Sequence, residues 1–172
     1  MANILRAAST WLKIALGCFS LGLILFVIGF ATSSWMVSSN YRNQHMESGL
    51  WQHKFCAGST CQGGDTYPND YHRAIQAMEC LGLIGFFLAL LVLLLYICAD
   101  SCRRKDFLQA TVALAFAGVL FSSIGYAIFG SSTNNENLYG RGRNIGWSMG
   151  VAIAGTIFYA LGGIMLIVQL IK

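Results

Sequence analysis

Charge is confined to a few stretches of this chain, and the gaps between them are long. Ile14–Tyr41, Cys80–Ala99, Phe107–Asn135 and Asn144–Ile171 contain no Asp, Glu, Lys or Arg. Each reaches the roughly 20 predominantly apolar residues that an α-helix needs to cross a hydrocarbon core of about 30 Å. The pattern predicts four membrane spans near residues 11–31, 75–99, 107–129 and 147–170. A long loop (32–74), a short one (100–106) and one of medium length (130–146) connect them. The long loop alternates enough to predict strands, one beginning at Trp35-Met36-Val37 and a second over Gly49 to Cys56. Asn40 and Asn43 suit a turn between them, and Gly63-Gly64-Asp65 and Tyr67-Pro68-Asn69-Asp70 read as turns before the second span.

Composition agrees with a bilayer as solvent. Charged residues are 10% of the 172, against about 25% in soluble domains. With most of the remainder in loops, the chain reads as one domain, 1–172. The first apolar run is longer than a signal-peptide core of about 7–15 residues, and removing it would leave an odd number of spans. It is therefore expected to stay as a span.

The net charge is +4, and no basic run is long enough to suggest nucleic acid. Arg103-Arg104-Lys105 sits beside a span, where cytoplasmic positive charge is expected. The density of Lys and Arg places both termini and the 100–106 loop in the cytoplasm. Cysteine points the same way. Cys56 and Cys61 share a polar loop and lie close enough to bridge, and disulfides persist outside the cytosol. Cys18 and Cys80 belong to apolar helices, where a free thiol behaves as a small hydrophobe. Cys98 and Cys102 flank the cytoplasmic end of the second span, where S-palmitoylation can occur.

Lipid supplies no hydrophobic drive between helices, so small residues must let them approach. Gly82 and Gly85, Ala113 with Ala117, Gly118 with Ser122, and Gly146 with Gly150 are the expected contacts, supplemented by Gly155, Gly162 and Gly163. Trp35 and Trp51 are expected at the outer interface, where Trp is enriched.

Trp35, then Gly49-Leu50-Trp51, then Cys56 and Cys61 resembles the W…GLW…C…C signature of the claudin and peripheral myelin protein superfamily. That group includes the epithelial membrane proteins, the lens fibre membrane intrinsic protein and the calcium-channel γ subunits. Arg73, just before the second span, and Gly146-Trp147-Ser148, opening the last, also look like the family. The resemblance extends over the whole layout. It implies a left-handed four-helix bundle under a mostly antiparallel extracellular sheet of about five strands. Departures are the four-residue spacing of the cysteines, a short first loop and an ending at Gln169-Leu170-Ile171-Lys172. Claudins proper end in a tail that binds scaffold PDZ domains, so no such partner is expected through this C-terminus. The length and ending look more like the lens and epithelial branch, or an invertebrate claudin-like protein.

Chemistry-bearing residues are few. No Ser-His-Asp set, Walker loop, HExxH helix or N-x-[ST] sequon is present, and no enzyme activity, cofactor or metal is expected. His45, His53 and His72 lack ligand spacing and are expected to be solvated or to support the sheet. Glu79 is expected near the outer interface, solvated or paired with the sheet. If the first loop lined an ion path, as claudin first loops do, Asp65 would be the residue to test. The leading function is a structural protein of cell contacts in the plasma membrane. It would self-associate within one membrane and across to a facing one, as an adhesive or paracellular barrier element. The contacts expected are Met36–Tyr41 and Leu138–Arg143, the latter including Tyr139. The alternative is an auxiliary subunit of an ion channel or receptor, as γ subunits are; a transporter is poorly supported because the spans lack polar pairs.

Overall fold

A computed structural model describes residues 9–40, 44–57, 60–65, 70–99, 104–133 and 143–171. Four helices among them are long and apolar enough to cross a membrane: α1 (Thr10–Ala31), α2 (Asp70–Cys98), α3 (Lys105–Thr133) and α4 (Trp147–Ile171). At 1.5 Å per residue the shortest is about 33 Å long and α2 and α3 about 43 Å. Helix α2 starts five residues before the expected position. Asp70 lies in its first turn, where a carboxylate opposes the positive end of the helix dipole, and His72 and Ile75 are buried by the sheet end. Ser9 caps α1, its Oγ accepting from the Leu12 N–H at 3.4 Å. The same hydroxyl donates to Gln169 Oε1, which ties the start of α1 to the end of α4.

The helices pack as two intimate pairs, α1 with α4 and α2 with α3, and contacts of α3 with α4 and of α1 with α2 close the ring. Glycine makes both pairs close. A Cβ on Gly22 would lie 2.8 Å from Tyr159 Cδ2 and 2.9 Å from the Gly155 oxygen. On Gly155 it would lie 2.7 Å from the Gly22 oxygen and the Phe26 nitrogen. In the other pair, a Cβ on Gly85 would meet Gly118 Cα at 3.0 Å, and one on Gly118 the Phe86 ring at 2.7 Å. The expected pairing of Gly146 with Gly150 does not form such a seam. Gly150 has nothing within 4 Å of its would-be Cβ, and Gly146 packs on the Ser34 and Trp35 backbone.

Between the pairs runs a stack of aromatic rings. Tyr159 lies between Phe19 at 4.6 Å and Phe86 at 4.1 Å, and Phe26 meets Phe86 edge-on at 5.0 Å. The Tyr159 hydroxyl donates to the Phe86 carbonyl at 2.9 Å, so the fully buried phenol has a partner. Outward from this core the helices expose Ile24, Ile84, Phe87, Leu120, Ile157 and Ile164. In water such a surface would be a liability; in hydrocarbon it is the solvent-compatible one.

Five strands form one antiparallel sheet: β1 (Met36–Asn40), β2 (Gln44–Ser48), β3 (Gln52–Ala57), β4 (Thr60–Asp65) and β5 (Arg143–Ile145), in spatial order β4-β3-β2-β1-β5. Strand β5, from the connection between α3 and α4, pairs with β1. Three details correct the sequence reading. Gln44–Ser48 is a strand in its own right, and Gly49-Leu50-Trp51 is the connection to β3 rather than part of a strand. The Gly49 N–H closes that connection on the Gln52 carbonyl at 2.8 Å. Gly63-Gly64-Asp65 is not a turn but the end of β4, paired in register with Lys54, His53 and Gln52 of β3, and the His53 ring packs close over Gly64, where a Cβ would come within 3.1 Å.

Replacing Gly118 by Val should lower thermal stability in mild detergent by about 1–3 kcal/mol, since overpacking a filled seam costs that much. Gly150→Ala should be neutral or slightly stabilising, helix propensity favouring Ala by up to about 1 kcal/mol. Equal melting of the two variants would contradict the seam.

Candidate interaction surface at the sheet end

The sheet is held on the bundle by a short run of residues from its first hairpin. Trp35 is buried and its indole N–H donates to the Gly29 carbonyl at 2.7 Å, satisfying an oxygen that the end of α1 leaves free. Its ring meets Phe129 at 5.5 Å and Tyr126 at 6.1 Å, both on α3. With Met36, Leu50, Ile75, Met149 and Ala152 these rings form a second apolar core, drawn from all parts of the bundle head. The backbone around Trp35 is stitched to α4. The Gly146 N–H donates to the Trp35 carbonyl at 2.8 Å and the Ser148 N–H to the Ser34 carbonyl at 3.2 Å, while Ser148 Oγ accepts from the Ser34 N–H at 3.2 Å.

Within Gly49-Leu50-Trp51 each residue has a separate job. Gly49 lies against Ser33, where a side chain would collide with backbone. Leu50 turns inward and is 1% exposed. Its carbonyl accepts from His72 Nε2 and from Gln76 Nε2, both at 2.8 Å, so α2 grips this turn directly. Trp51 points the other way, 39% exposed, with its ring 5.3 Å from Phe30 of α1. The buried anchor on this hairpin is therefore Leu50, while Trp51 lies on the outside of the turn against Phe30.

Cys56 and Cys61 face each other across β3 and β4 and are disulfide-bonded, with their Cα atoms 4.0 Å apart. The bridge fastens the edge strand β4 to the rest of the sheet. The other edge is β5, three residues long. Register places Met36, Ser38, Met46 and Phe55 on one face, with Met46 opposite Phe55. Where this face lies over the helices it is covered, and Met36 is 7% exposed. Farther out, Met46 and Phe55 are 42% and 40% exposed. Met46 and Phe55 thus form a short uncovered apolar strip, set apart from Met36 by Ser38 and Ser48. On the opposite face Glu47 stands across from Lys54 in register and accepts from Ser34 Oγ at 2.8 Å. Tyr71, Ile145 and Trp147 add exposed apolar surface around the rim.

Burial removes Met36 from the expected self-association contacts: its side chain fills the core beneath the sheet and cannot reach a neighbour. Tyr41, Leu138 and Tyr139 lie outside the described residues, and Arg143 falls in the edge strand β5, opposite Ser38. Asp65 ends the edge strand β4, in register with Gln52. Arg73 is exposed on the second turn of α2. His72 supports the sheet through Leu50, whereas His45 is exposed. Cys98 is exposed at the end of α2 away from the sheet, and Cys102 lies outside the described residues. Glu79 differs from expectation: it is neither solvated nor paired with the sheet, but fully buried between α2 and α3. Sequence reasoning placed it by distance from Arg73 and missed the face of the helix. Its spacing of seven from His72 and three from Gly82 puts it on the packed stripe. Met46 and Phe55 were also missed, because only the pairing of β2 with β1 and β3 brings them onto the face of Met36.

A four-span helical bundle capped by a disulfide-clamped antiparallel sheet defines a class of integral membrane protein. The sequence profile of the PMP-22/EMP/MP20/Claudin family matches residues 9–166, and the chain belongs to that family. Compared individually with curated proteins, it has no match.

Leu50→Ala should cost about 2–5 kcal/mol of stability, the usual range for a filled core position. Trp51→Ala should cost less than Leu50→Ala, because much of its ring is already in contact with solvent or lipid. The reverse order in a thermal-shift comparison would contradict the assignment. In denatured, unreduced protein, Cys56 and Cys61 should resist maleimide and should both react after reduction. Opening so small a loop should lower stability by about 2 kcal/mol on the chain-entropy scale.

Proposed function

We propose that this protein is a structural element of cell contacts in the plasma membrane. Its sheet faces outward and its termini and the Cys98 end face the cytoplasm. A disulfide in the sheet fits an oxidising exterior, and the Arg103-Arg104-Lys105 cluster on the opposite connection fits the positive-inside rule. Family membership supports a structural rather than an enzymatic role.

The observation that carries the reading is the uncovered apolar strip of Met46 and Phe55 on a sheet that overhangs its bundle. An exposed cross-strand apolar pair is surface that a neighbouring copy can cover favourably. On either side of that strip the edge strands β4 and β5 present backbone groups that another strand can pair with. A contact between the strip of one copy and a different surface of the next is heterologous, so copies would add in rows or rings within one membrane. The outward connections would then meet a facing membrane as an adhesive or barrier element. Asp65, at the end of edge strand β4, is the position at which an ion path along such a row would be tested first.

In reconstituted vesicles, energy transfer between differently labelled copies should be strong for the wild type. It should fall several-fold for the Met46→Asp, Phe55→Asp double variant at unchanged thermal stability and membrane content. Vesicles carrying the wild type should also cluster. A dispersed monomer that does not cluster vesicles, and that co-purifies stoichiometrically with a larger channel from native membrane, would establish the auxiliary-subunit reading instead.

A further inference from the structure

Glu79 is the one carboxylate described deep in a helix seam, and its surroundings are built around it. It lies nine residues beyond Asp70, about 13 Å along a helix about 43 Å long. A centred helix of that length places it inside a hydrocarbon layer of about 30 Å. Its side chain is 0% exposed, and so is that of Ser122 across the seam on α3. Among the described residues neither carboxyl oxygen nor the Ser122 hydroxyl has a partner of good hydrogen-bond geometry, although Ser122 lies close enough to act on the carboxyl. Two glycines make the space. A Cβ on Gly125 would collide with Glu79 Oε1 and come within 3.0 Å of its Cδ, and a Cβ on Gly82 would collide with Ser122 Oγ. Two backbone positions are thus kept bare where two polar groups meet.

We propose that Glu79 and Ser122 form a buried single-proton site, with the carboxyl of Glu79 held as the neutral acid, its O–H directed to Ser122 Oγ. An ionised carboxylate in such a place needs a counter-charge or several donors, and the cost of leaving it bare is far larger than that of a neutral polar group. Neither is at hand. The titratable groups facing Glu79 are Cys80 on its own helix and Tyr126 on α3, and the Tyr126 hydroxyl is engaged with Thr156 Oγ1 of α4 at 3.0 Å. His72, two turns outward on the same face, is committed to the Leu50 carbonyl, and Arg73 is exposed. A divalent cation fits less well than a proton, because Ca²⁺ and Mg²⁺ take six or more oxygens and the described unpartnered side-chain oxygens here are the two of Glu79 and that of Ser122. As the neutral acid, Glu79 gives its own O–H an acceptor and the serine oxygen a donor with a single hydrogen bond. Toward its outer end the same helix holds the Leu50 turn of the sheet through His72 and Gln76.

The test uses the full-length protein in lipid nanodiscs near neutral pH, treated with dicyclohexylcarbodiimide, which partitions into hydrocarbon and reacts with protonated carboxyls. The acid O–H adds across one C=N bond, its oxygen bonding the central carbon and its proton passing to nitrogen; an acyl shift then leaves a stable N-acylurea. Peptide mass spectrometry should find the modification concentrated on Glu79 and lost in Glu79→Gln. That variant, a neutral isostere, should keep the wild-type Tm. The proposal is overturned by absence of modification at Glu79. It is equally overturned by modification only with a water-soluble carbodiimide and an amine, which would show a hydrated carboxylate. Protection by added Na⁺ or Ca²⁺ at constant pH would assign the site to a cation instead, and a collapse of Tm in Glu79→Gln would show that the charge is required.

Discussion

Close approach of helix backbones is the constraint on which the rest of this structure depends. Hydrocarbon solvates a leucine as well as a protein interior does, so burying apolar area gives helices no reason to associate. Attraction must come from dense packing at short range, where each atom pair contributes about 0.1–0.2 kcal/mol and only many of them together suffice. The Gly22–Gly155 and Gly85–Gly118 crossings bring whole backbones into contact and let Tyr159, Phe19, Phe26 and Phe86 close the middle. Because both pairs need this proximity, the two seams also set where the four helix ends emerge.

The sheet is a consequence of that placement. A sheet of three or more strands needs a hydrophobic face or a helix to pack against for independent stability. Here the helix ends offer an apolar socket, and Trp35, Met36 and Leu50 fill it. Polar groups are matched as the socket closes: the indole N–H takes the Gly29 carbonyl, and His72 and Gln76 take the Leu50 carbonyl. The sheet is thereby oriented by the bundle, while the Cys56–Cys61 bridge controls only its far edge. Position of the sheet and integrity of its edge are separate properties, held by separate interactions.

The same physics distinguishes the two places where function is proposed. Met46 and Phe55 are apolar and uncovered in the watery part, so their covering by another copy would be driven by the hydrophobic effect. Glu79 and Ser122 are polar and covered in the apolar part, so their state is set by the absence of water. One site departs from its solvent by being apolar, the other by being polar.

The four spans, the approximate loop lengths and the Cys56–Cys61 pair were legible in the sequence, because hydrocarbon thickness imposes a length on every helix and a disulfide needs two nearby cysteines. The Trp35 and Gly49-Leu50-Trp51 signature was legible too, but only as a pattern. Which of its residues is buried was decided in three dimensions, where the turn sends Leu50 inward and leaves Trp51 against Phe30. Strand β5 was invisible because three residues carry no period, and β2 because polar Gln44–Ser48 gains its strand character from neighbours on both sides. Partner choice among the glycines was equally out of reach: sequence shows that Gly82, Gly118 and Gly150 are small, and only the crossing of helices decides that the first two meet a neighbour and the third does not. Glu79 follows the same rule. Its charge type and position along the helix are local properties, but its burial depends on which helix lies across from it, and that is a property of the assembled bundle alone.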